Sequence, residues 1–497
     1  VGFDPVEQQP SFPALEEGVL ARWRERDVFA RSLAQREGAP LFSFFEGPPT
    51  ANGKPGTHHI EARVFKDIFP RYRTMKGFRV PRQAGWDCHG IPVELEVERA
   101  LGFTRKSDIE AHGIAEFNQR CRESVQTYVG EFTALTERIA FWVDFDAAYW
   151  TMSDTYVESV WWSLRKLWDE GLIYEGHRVV PYCPRCGTAL SDHEVAQGYA
   201  QADDPSVYVR LPLLDGPLAE EDAALLIWTT TPWTLLSNSA VAIGADIRYV
   251  LADGGEHGLV VLAAELVEAV LGEGAEVLRD VAPDELLGCH YEGPFSFVGP
   301  GSDDGTPDHP VWRSVVTANF VTTTDGTGIV HMAPAFGADD MAIGRAHDLP
   351  IVNPVDLEGR FVEAITPFAG LFVKDADEAI TADLRARGLL LRAGTYTHTY
   401  PFCWRCASPL LYYAKPSWYI ATTRIRERLI AENADIDWHP EHIRNGRFGD
   451  WLTNNVDWAL SRERYWGTPL PLWRCADCGH VRAIGSRAEL SEASGKD

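Results

Sequence analysis

The stretch FFEGPPTANGKPGTHH, Phe44–His59, decides the fold. The aromatic run LFSFFEG that opens it reads as a short buried strand. Gly47, Gly53 and Gly56 follow, and glycine permits close backbone approach. Ile60, Val64, Phe65 and Ile68 come next at helical spacing, up to Pro70, which is expected to kink or end the helix. Strand, glycine-bearing loop and helix is the opening unit of a nucleotide-binding α/β fold. The N–H groups at the helix start suit a phosphate. A tight loop without a ligand fits these glycines equally well. What sets the stretch apart is its end, where His58 and His59 stand side by side.

Composition bounds the rest. A chain of 497 residues suggests roughly three domains. Hydrophobic residues make up 45%, with 17 Trp and 23 Phe, enough for several cores and incompatible with global disorder. The net charge of -26 argues against a surface that grips nucleic acid everywhere, though not against a local basic groove. No apolar run is long enough for a membrane span, and no signal-peptide pattern follows Val1. Cys88, Cys121 and Cys289 stand outside any CxxC pair; unpaired cysteines in a large chain point to a reducing, cytoplasmic setting.

Residues 13–35 place Leu15, Val19, Trp23 and Leu33 near one face of an N-terminal helix. DTYVESVWWSLRKLWDEGLIYEG reads as a second long helix, with Gly171 near its end. Beyond Cys186 the segments turn short and β-rich, as in SVYVRLPL and ALLIWTT, and DGGEHG and PGSDDGTPDHP are loops. Residues 195–395 therefore read as a mostly β block inserted into the first domain. After Cys406 the Trp-rich texture returns.

YCPRCG and FCWRCA flank that block. Cys183, Cys186, Cys403 and Cys406 offer four thiolates suited to tetrahedral Zn²⁺, which would staple its base. Unrelated turns or a redox CxxC are the alternatives. Cys475 and Cys478 form a third pair with only His480 near, an incomplete set. Inside the block, WTTTPWTLLSNSAVAI (Trp228–Ile243) carries a threonine run of a kind that is commonly just strand propensity. GTGIVHMAPAFGADD (Gly326–Asp340) places His331 and Asp340 in a glycine-rich loop, a candidate acid and base or anchor set.

FFEGPPTANGKPGTHH followed by GWDCHGIPVE (Gly85–Glu94) resembles the class I aminoacyl-tRNA synthetases, and within them the isoleucyl-tRNA synthetases. The family's features recur in order over essentially the whole chain. The resemblance implies an α/β fold: the first half of a Rossmann-type catalytic core, an inserted mostly-β editing barrel and a four-cysteine zinc linker. It implies residues 1–40 as an N-terminal helical extension and 41–194 as the first half of the catalytic domain with the first zinc knuckle. Residues 195–395 would be the editing insertion, 396–470 a return linker with the second knuckle, and 471–497 the start of a second zinc insertion. SRERYWGTPLP (Ser461–Pro471) resembles the return of the chain into the catalytic domain. The Lys-rich KMSKS loop and the Asp-x-Trp-x-Asp-Ser-Gly stretch of the family are absent; with the unfinished Cys475/Cys478 site, this implies an N-terminal fragment without the anticodon-binding helices.

In site terms the resemblance assigns ATP binding to Gly47, Pro48, Pro49, Asn52, Gly53, Gly56, Thr57, His58 and His59. Pro48 and Asp87 would bind the amino acid, with Asp87 pairing its ammonium, and His58, His59 and Asp87 would form the catalytic set. A helix cap is the other reading of Asp87, and His89 either orients neighbours or is a satisfied polar residue. The family signature is His-x-Gly-His; here Gly56, His58 and His59 hold its places, so the first His and the Gly have exchanged. Either the backbone shifts so that His58 turns away and still reaches phosphate, the favoured account, or adenine binding is altered. Inhibitors that press on the usual glycine are expected to bind poorly.

The inserted block resembles the editing domain of the isoleucine, valine and leucine enzymes. Thr229, Thr230, Thr231, Thr234 and Asn238 would shape its pocket and contact the terminal adenosine. His331 would bound the side-chain pocket or place water, and Asp340 would hold the ammonium of a misacylated residue. One methylene separates isoleucine from valine, worth roughly 1–3 kcal/mol, a value established for this very family rather than derived from the sequence. The expected partners are ATP with Mg²⁺, isoleucine and tRNA(Ile), with Zn²⁺ bound, no membrane, and a monomer. The rival readings are valyl-tRNA synthetase, a stand-alone deacylase of misacylated tRNA, and a non-enzymatic tRNA- or zinc-binding paralogue.

Overall fold

Strands β1 (Phe44–Phe45), β2 (Arg82–Trp86) and β3 (Asp144–Trp150) form a parallel sheet in that order, with Phe44 opposite Arg82 and Gly85 opposite Tyr149. The computed structural model describes residues 9–50, 53–300 and 308–496; Ala51 and Asn52 of the loop lie outside them. The chain falls into two units, Val1–Leu172 with Arg464–Asp497, and Ile173–Glu463.

Parallel strands need crossovers. In the first unit, helix Thr57–Met75 links β1 to β2, and helices Ile91–Leu101, Lys106–His112 and Ile114–Arg138 lead from β2 to β3. Ile114–Arg138 buries Phe117, Cys121, Val125 and Phe132 along one stripe, packed with Trp86, Val93, Val97 and Trp466. Helix Asp154–Asp169 is capped by Ser153, whose Oγ accepts the Tyr156 N–H at 3.3 Å.

Three local expectations need correction. The strand at 41–47 is only two residues long and Phe45 is exposed, because β1 is an edge of the sheet. Pro70 does not end its helix, which runs on to Met75; Thr74 Oγ1 donates to the Pro70 carbonyl at 2.8 Å. That helix also buries Arg63, Pro70 and Thr74 while Val64, Phe65 and Ile68 are exposed. Its inner face is held by Arg63, whose Nε donates to Thr136 Oγ1 at 3.1 Å. The N-terminal helix is really two, Phe12–Glu25 and Val28–Ala34, broken at Asp27, whose φ is 48°.

The second unit is built from β4 (Ile173–Cys183), β5 (Thr188–Ala189), β6 (Tyr199–Pro212), β7 (Ala224–Thr229), β8 (Ala240–Ile243) and β9 (Tyr249–Asp253). It continues with β10 (Leu259–Ala263), β11 (Val277–Val281), β12 (Ser314–Thr317), β13 (Ile329–Met332), β14 (Leu390–Pro401), β15 (Leu411–Ile420) and β16 (Trp458–Ala459). Its sheets run β16-β15-β4-β5, β11-β9-β10-β7-β6-β14 and β12-β8-β13. Val207, Leu225, Ile227, Val241, Val260 and Leu262 belong to one buried core, so the short apolar runs of the sequence are central strands.

Candidate functional site

In the first unit the loop closes on itself. The Gly56 N–H donates to His59 Nδ1 at 2.9 Å, so the His59 side chain caps the start of helix Thr57–Met75. With Nδ1 accepting, Nε2 carries the proton and is the free donor. Burial, then the neighbouring His58, holds the His59 pKa below its usual value, which favours this neutral form. The His58 and His59 rings lie 3.9 Å apart, centre to centre. His58 is exposed and folds back over Gly56: a Cβ at position 56 would stand 3.0 Å from His58 Cε1 and 3.1 Å from its Nδ1. A side chain at residue 56 would therefore crowd the His58 ring by a few tenths of an ångström, which Gly56 avoids.

Asp87 follows β2 directly. Its N–H donates to Pro49 O at 3.1 Å and its Oδ2 accepts Thr50 Oγ1 at 2.9 Å, which ties the carboxylate to the loop. Residues outside the expected site set fix both sides. Lys66 Nζ donates to Glu46 Oε1 at 2.8 Å and Gly47 O at 3.2 Å, and Tyr149 Oη donates to Glu46 O at 2.9 Å. Beyond Asp87, Trp466 Nε1 donates to Cys88 O at 2.6 Å and the Gly90 N–H to Trp466 O at 3.0 Å. Glu94 Oε1 accepts the Tyr465 N–H at 2.8 Å and the Trp466 N–H at 2.6 Å. Arg464 pairs with Glu94 and Glu98, side chains 4%, 0% and 0% exposed. Burial pushes Glu94 up, against the pull of Arg464. Thus Gly47, Pro48, Pro49, Gly53 and Gly56 sit on one loop, Thr57, His58 and His59 on the helix start that follows it, and Asp87 just past the strand end beside it; Asn52 lies outside the described residues.

In the second unit a pocket of about 400 Å³ is lined by Thr229, Thr230, Thr231, Thr234, His331 and Asp340. Trp228, which opens the threonine stretch, also lines it, as do Phe320, Thr324 and Asp325, which lie outside the two motifs of the block. Asn238 does not line it. It stands behind His331, its Nδ2 donating to His331 Nδ1 at 2.9 Å and its Oδ1 accepting Tyr291 Oη at 2.8 Å. His331 Nε2 then donates to Thr234 Oγ1 at 3.0 Å, and Thr234 Oγ1 donates to Thr231 O at 2.8 Å. Burial pushes the His331 pKa down to about 4. The ring is thus held neutral, with both nitrogens engaged, beside Thr234 at the pocket wall. Asp340 Oδ2 accepts the Ala333 N–H at 2.8 Å, and burial raises its pKa. The carboxyl lies so close to Gly337 that a Cβ there would come within 2.5 Å of it.

Asp377 holds the threonine turn from beneath. It is 4% exposed, and its Oδ1 accepts the Trp233 N–H at 2.9 Å, within the fully buried turn Pro232–Ser237. Burial raises its pKa to about 8, with Lys374 opposing and Asp204 and Asp375 adding to the rise. The folded value lies above the ordinary 3.8, so the stability it contributes is complete at acid pH and is lost as pH rises towards about 8. Asp377→Asn keeps the acceptor and removes the charge. Each tenfold change in proton affinity is worth ~1.4 kcal/mol, so the variant is expected to be more stable by a few kcal/mol near pH 8 and neutral near pH 4. Thermal melts across that range check this; equal gain at both ends would show another cause.

Cys183, Cys186, Cys403 and Cys406 come together, their sulfurs all within 4.8 Å of one another. Four sulfurs around one Zn²⁺ at ~2.3 Å stand about 3.8 Å apart, so this cluster of thiols fits a tetrahedral ion. Cys183 ends β4, and the Cys403–Cys406 turn precedes β15, which pairs antiparallel with β4. Cys475 and Cys478 are exposed on the hairpin of Leu472–Arg474 and Val481–Ala483, and join no such group among the described residues. No helix among the described residues is long and apolar enough to cross a membrane.

The family model for tRNA synthetases class I (I, L, M and V) matches residues 18–496. The isoleucine–tRNA ligase of Streptomyces coelicolor is 56% identical over 493 residues, 99% of this chain and 46% of its own. That of Thermobifida fusca is 55% identical over 496 residues, 100% of this chain and 46% of its own. That of Thermus thermophilus is 52% identical over 493 residues, 98% and 46% respectively. The chain spans about half the length of the curated relatives it matches. The loop geometry, the four-cysteine cluster and this match agree: the chain belongs to the class I tRNA synthetases of the isoleucine, leucine, methionine and valine group.

Proposed function

We propose that the chain is part of an isoleucine–tRNA ligase and carries two chemical sites, one in each unit. The observation that carries the activation site is the loop clasped by His59 with the Asp87 carboxylate tied to it. Asp87 holds the ammonium of isoleucine, whose carboxylate attacks the α-phosphate of ATP; pyrophosphate leaves and the adenylate forms. Helix-start N–H groups, His59 Nε2–H and His58 stabilise the phosphate charge. Mg²⁺ bound with ATP supplies further charge neutralisation, and Zn²⁺ on the four cysteines supplies a structural staple. Asn52 as an ATP-site residue and the domain limits are carried over from the family resemblance.

The pocket in the second unit hydrolyses valyl-tRNA(Ile). Asp340 anchors the ammonium of the misplaced residue, Thr229, Thr230 and Thr231 contact the terminal adenosine, and a held water attacks the ester carbonyl. With His331 neutral and committed to Asn238 and Thr234, no side-chain nucleophile is invoked and no acyl-enzyme forms. Binding alone separates isoleucine from valine by only roughly 10–200-fold, and a second, smaller site widens that gap.

Amino-acid-dependent exchange of pyrophosphate into ATP by the full-length protein tests the activation site. Strong exchange with isoleucine, weak exchange with valine and none with leucine is expected. No exchange, with valyl-tRNA hydrolysis retained, would make the protein a deacylase.

A further inference from the structure

In the first unit, away from the loop, a crevice of about 410 Å³ is lined by Arg26, Arg31, Arg36 and Arg71, with Gln35 and Trp142. Among the described residues no carboxylate lines it. Two of the guanidiniums are held in place. Arg36 donates from Nε to Thr74 O at 2.9 Å and from one terminal nitrogen to Ser32 O at 2.8 Å, both neutral acceptors. Arg71 bonds Asp67 and Ala140 O and lies 4.1 Å from the centre of the Trp142 ring. Asp67 is shared with the buried Arg82, so one carboxylate faces two arginines. Arg26 and Arg31 are exposed, and neither forms an ion pair among the described residues.

Four cations around one crevice repel each other, and this occurs in a chain whose net charge is -26. Guanidinium forks match phosphate oxygens in pairs, and the two that are already held lose little freedom on binding. Arg71 covers the Trp142 ring, so stacking of a base there is not the basis of recognition. We propose that this crevice binds a phosphate-bearing anion of two or more charges. Free polyphosphate and the phosphate backbone of an RNA share that chemistry.

The test uses this chain with two probes, inorganic tripolyphosphate and a tRNA transcript. Arg26→Ala/Arg31→Ala removes two exposed side chains that have no described ion-pair partner, and melting checks that it is folded. His59→Ala removes the loop's own contribution to phosphate binding. The double variant is expected to weaken tripolyphosphate binding by roughly tenfold or more, while His59→Ala leaves that component in place. If the natural source is RNA, the slope of tRNA affinity against salt also falls by about one per arginine lost. Loss for tripolyphosphate with tRNA unchanged assigns the crevice to free polyphosphate. Tripolyphosphate binding unchanged in the double variant, or abolished entirely by His59→Ala, overturns the site.

Discussion

Arg464→Met is expected to destabilise the first unit by ~3–5 kcal/mol, measured by urea denaturation. Arg464 is the cation between Glu94 and Glu98, both wholly buried. Removing it leaves two carboxylates to be protonated or solvated inside the core. The same loss frees the segment that brackets Asp87, because Glu94 Oε1 receives the Tyr465 and Trp466 N–H groups and Trp466 bonds Cys88 and Gly90. Activity should thus fall with stability. Replacing the triad together, as Glu94→Gln/Glu98→Met/Arg464→Met, is expected to recover most of the stability, since an uncharged set leaves no buried charge unpaired. A single variant as stable as wild type would mean that the triad is open to water.

Gly56→His is expected to cut isoleucine-dependent exchange by ~100-fold or more, since displacing a positioning group by about an ångström has that scale of effect. A side chain at 56 meets the His58 ring at 3.0–3.1 Å, and Gly56 also supplies the N–H that orients His59. Either His58 leaves or the helix start shifts. Gly56→His/His58→Gly removes the conflict and should restore much of the exchange. The double variant should also gain affinity for inhibitors that press on the usual glycine. Equal inhibitor affinity in wild type and double variant, or a single variant as active as wild type, would show that the His58 ring does not occupy that space in solution.

The residues read most easily from the sequence are those whose partners are close along the chain. Gly56, His58 and His59 belong to one turn, and the threonines after Trp228 to one strand end. The four cysteines are legible because each CxxC turn is local and the two flank the β block. Asp377 is not, because its bond to Trp233 spans 144 residues and the run KDADEAI looks like an ordinary acidic helix start. Arg464 is hidden in the same way, its partner Glu94 lying 370 residues away. Asn238 groups with the pocket residues along the chain but supports His331 from behind, a distinction that needs the third dimension. Pro70 and the exposed stripe Val64, Phe65 and Ile68 mislead in the opposite direction: spacing locates the helix, while Arg63 and Thr136 decide which face is inward.

Hydrolysis of valyl-tRNA(Ile) and isoleucyl-tRNA(Ile), compared between wild type and Asp340→Ala, tests the central claim most directly. The account predicts fast loss of the valyl ester and slow loss of the isoleucyl ester in wild type, with valyl hydrolysis abolished in Asp340→Ala while the protein still melts cooperatively above the assay temperature. Equal hydrolysis of the two esters, or full valyl hydrolysis without the Asp340 carboxylate, would contradict it.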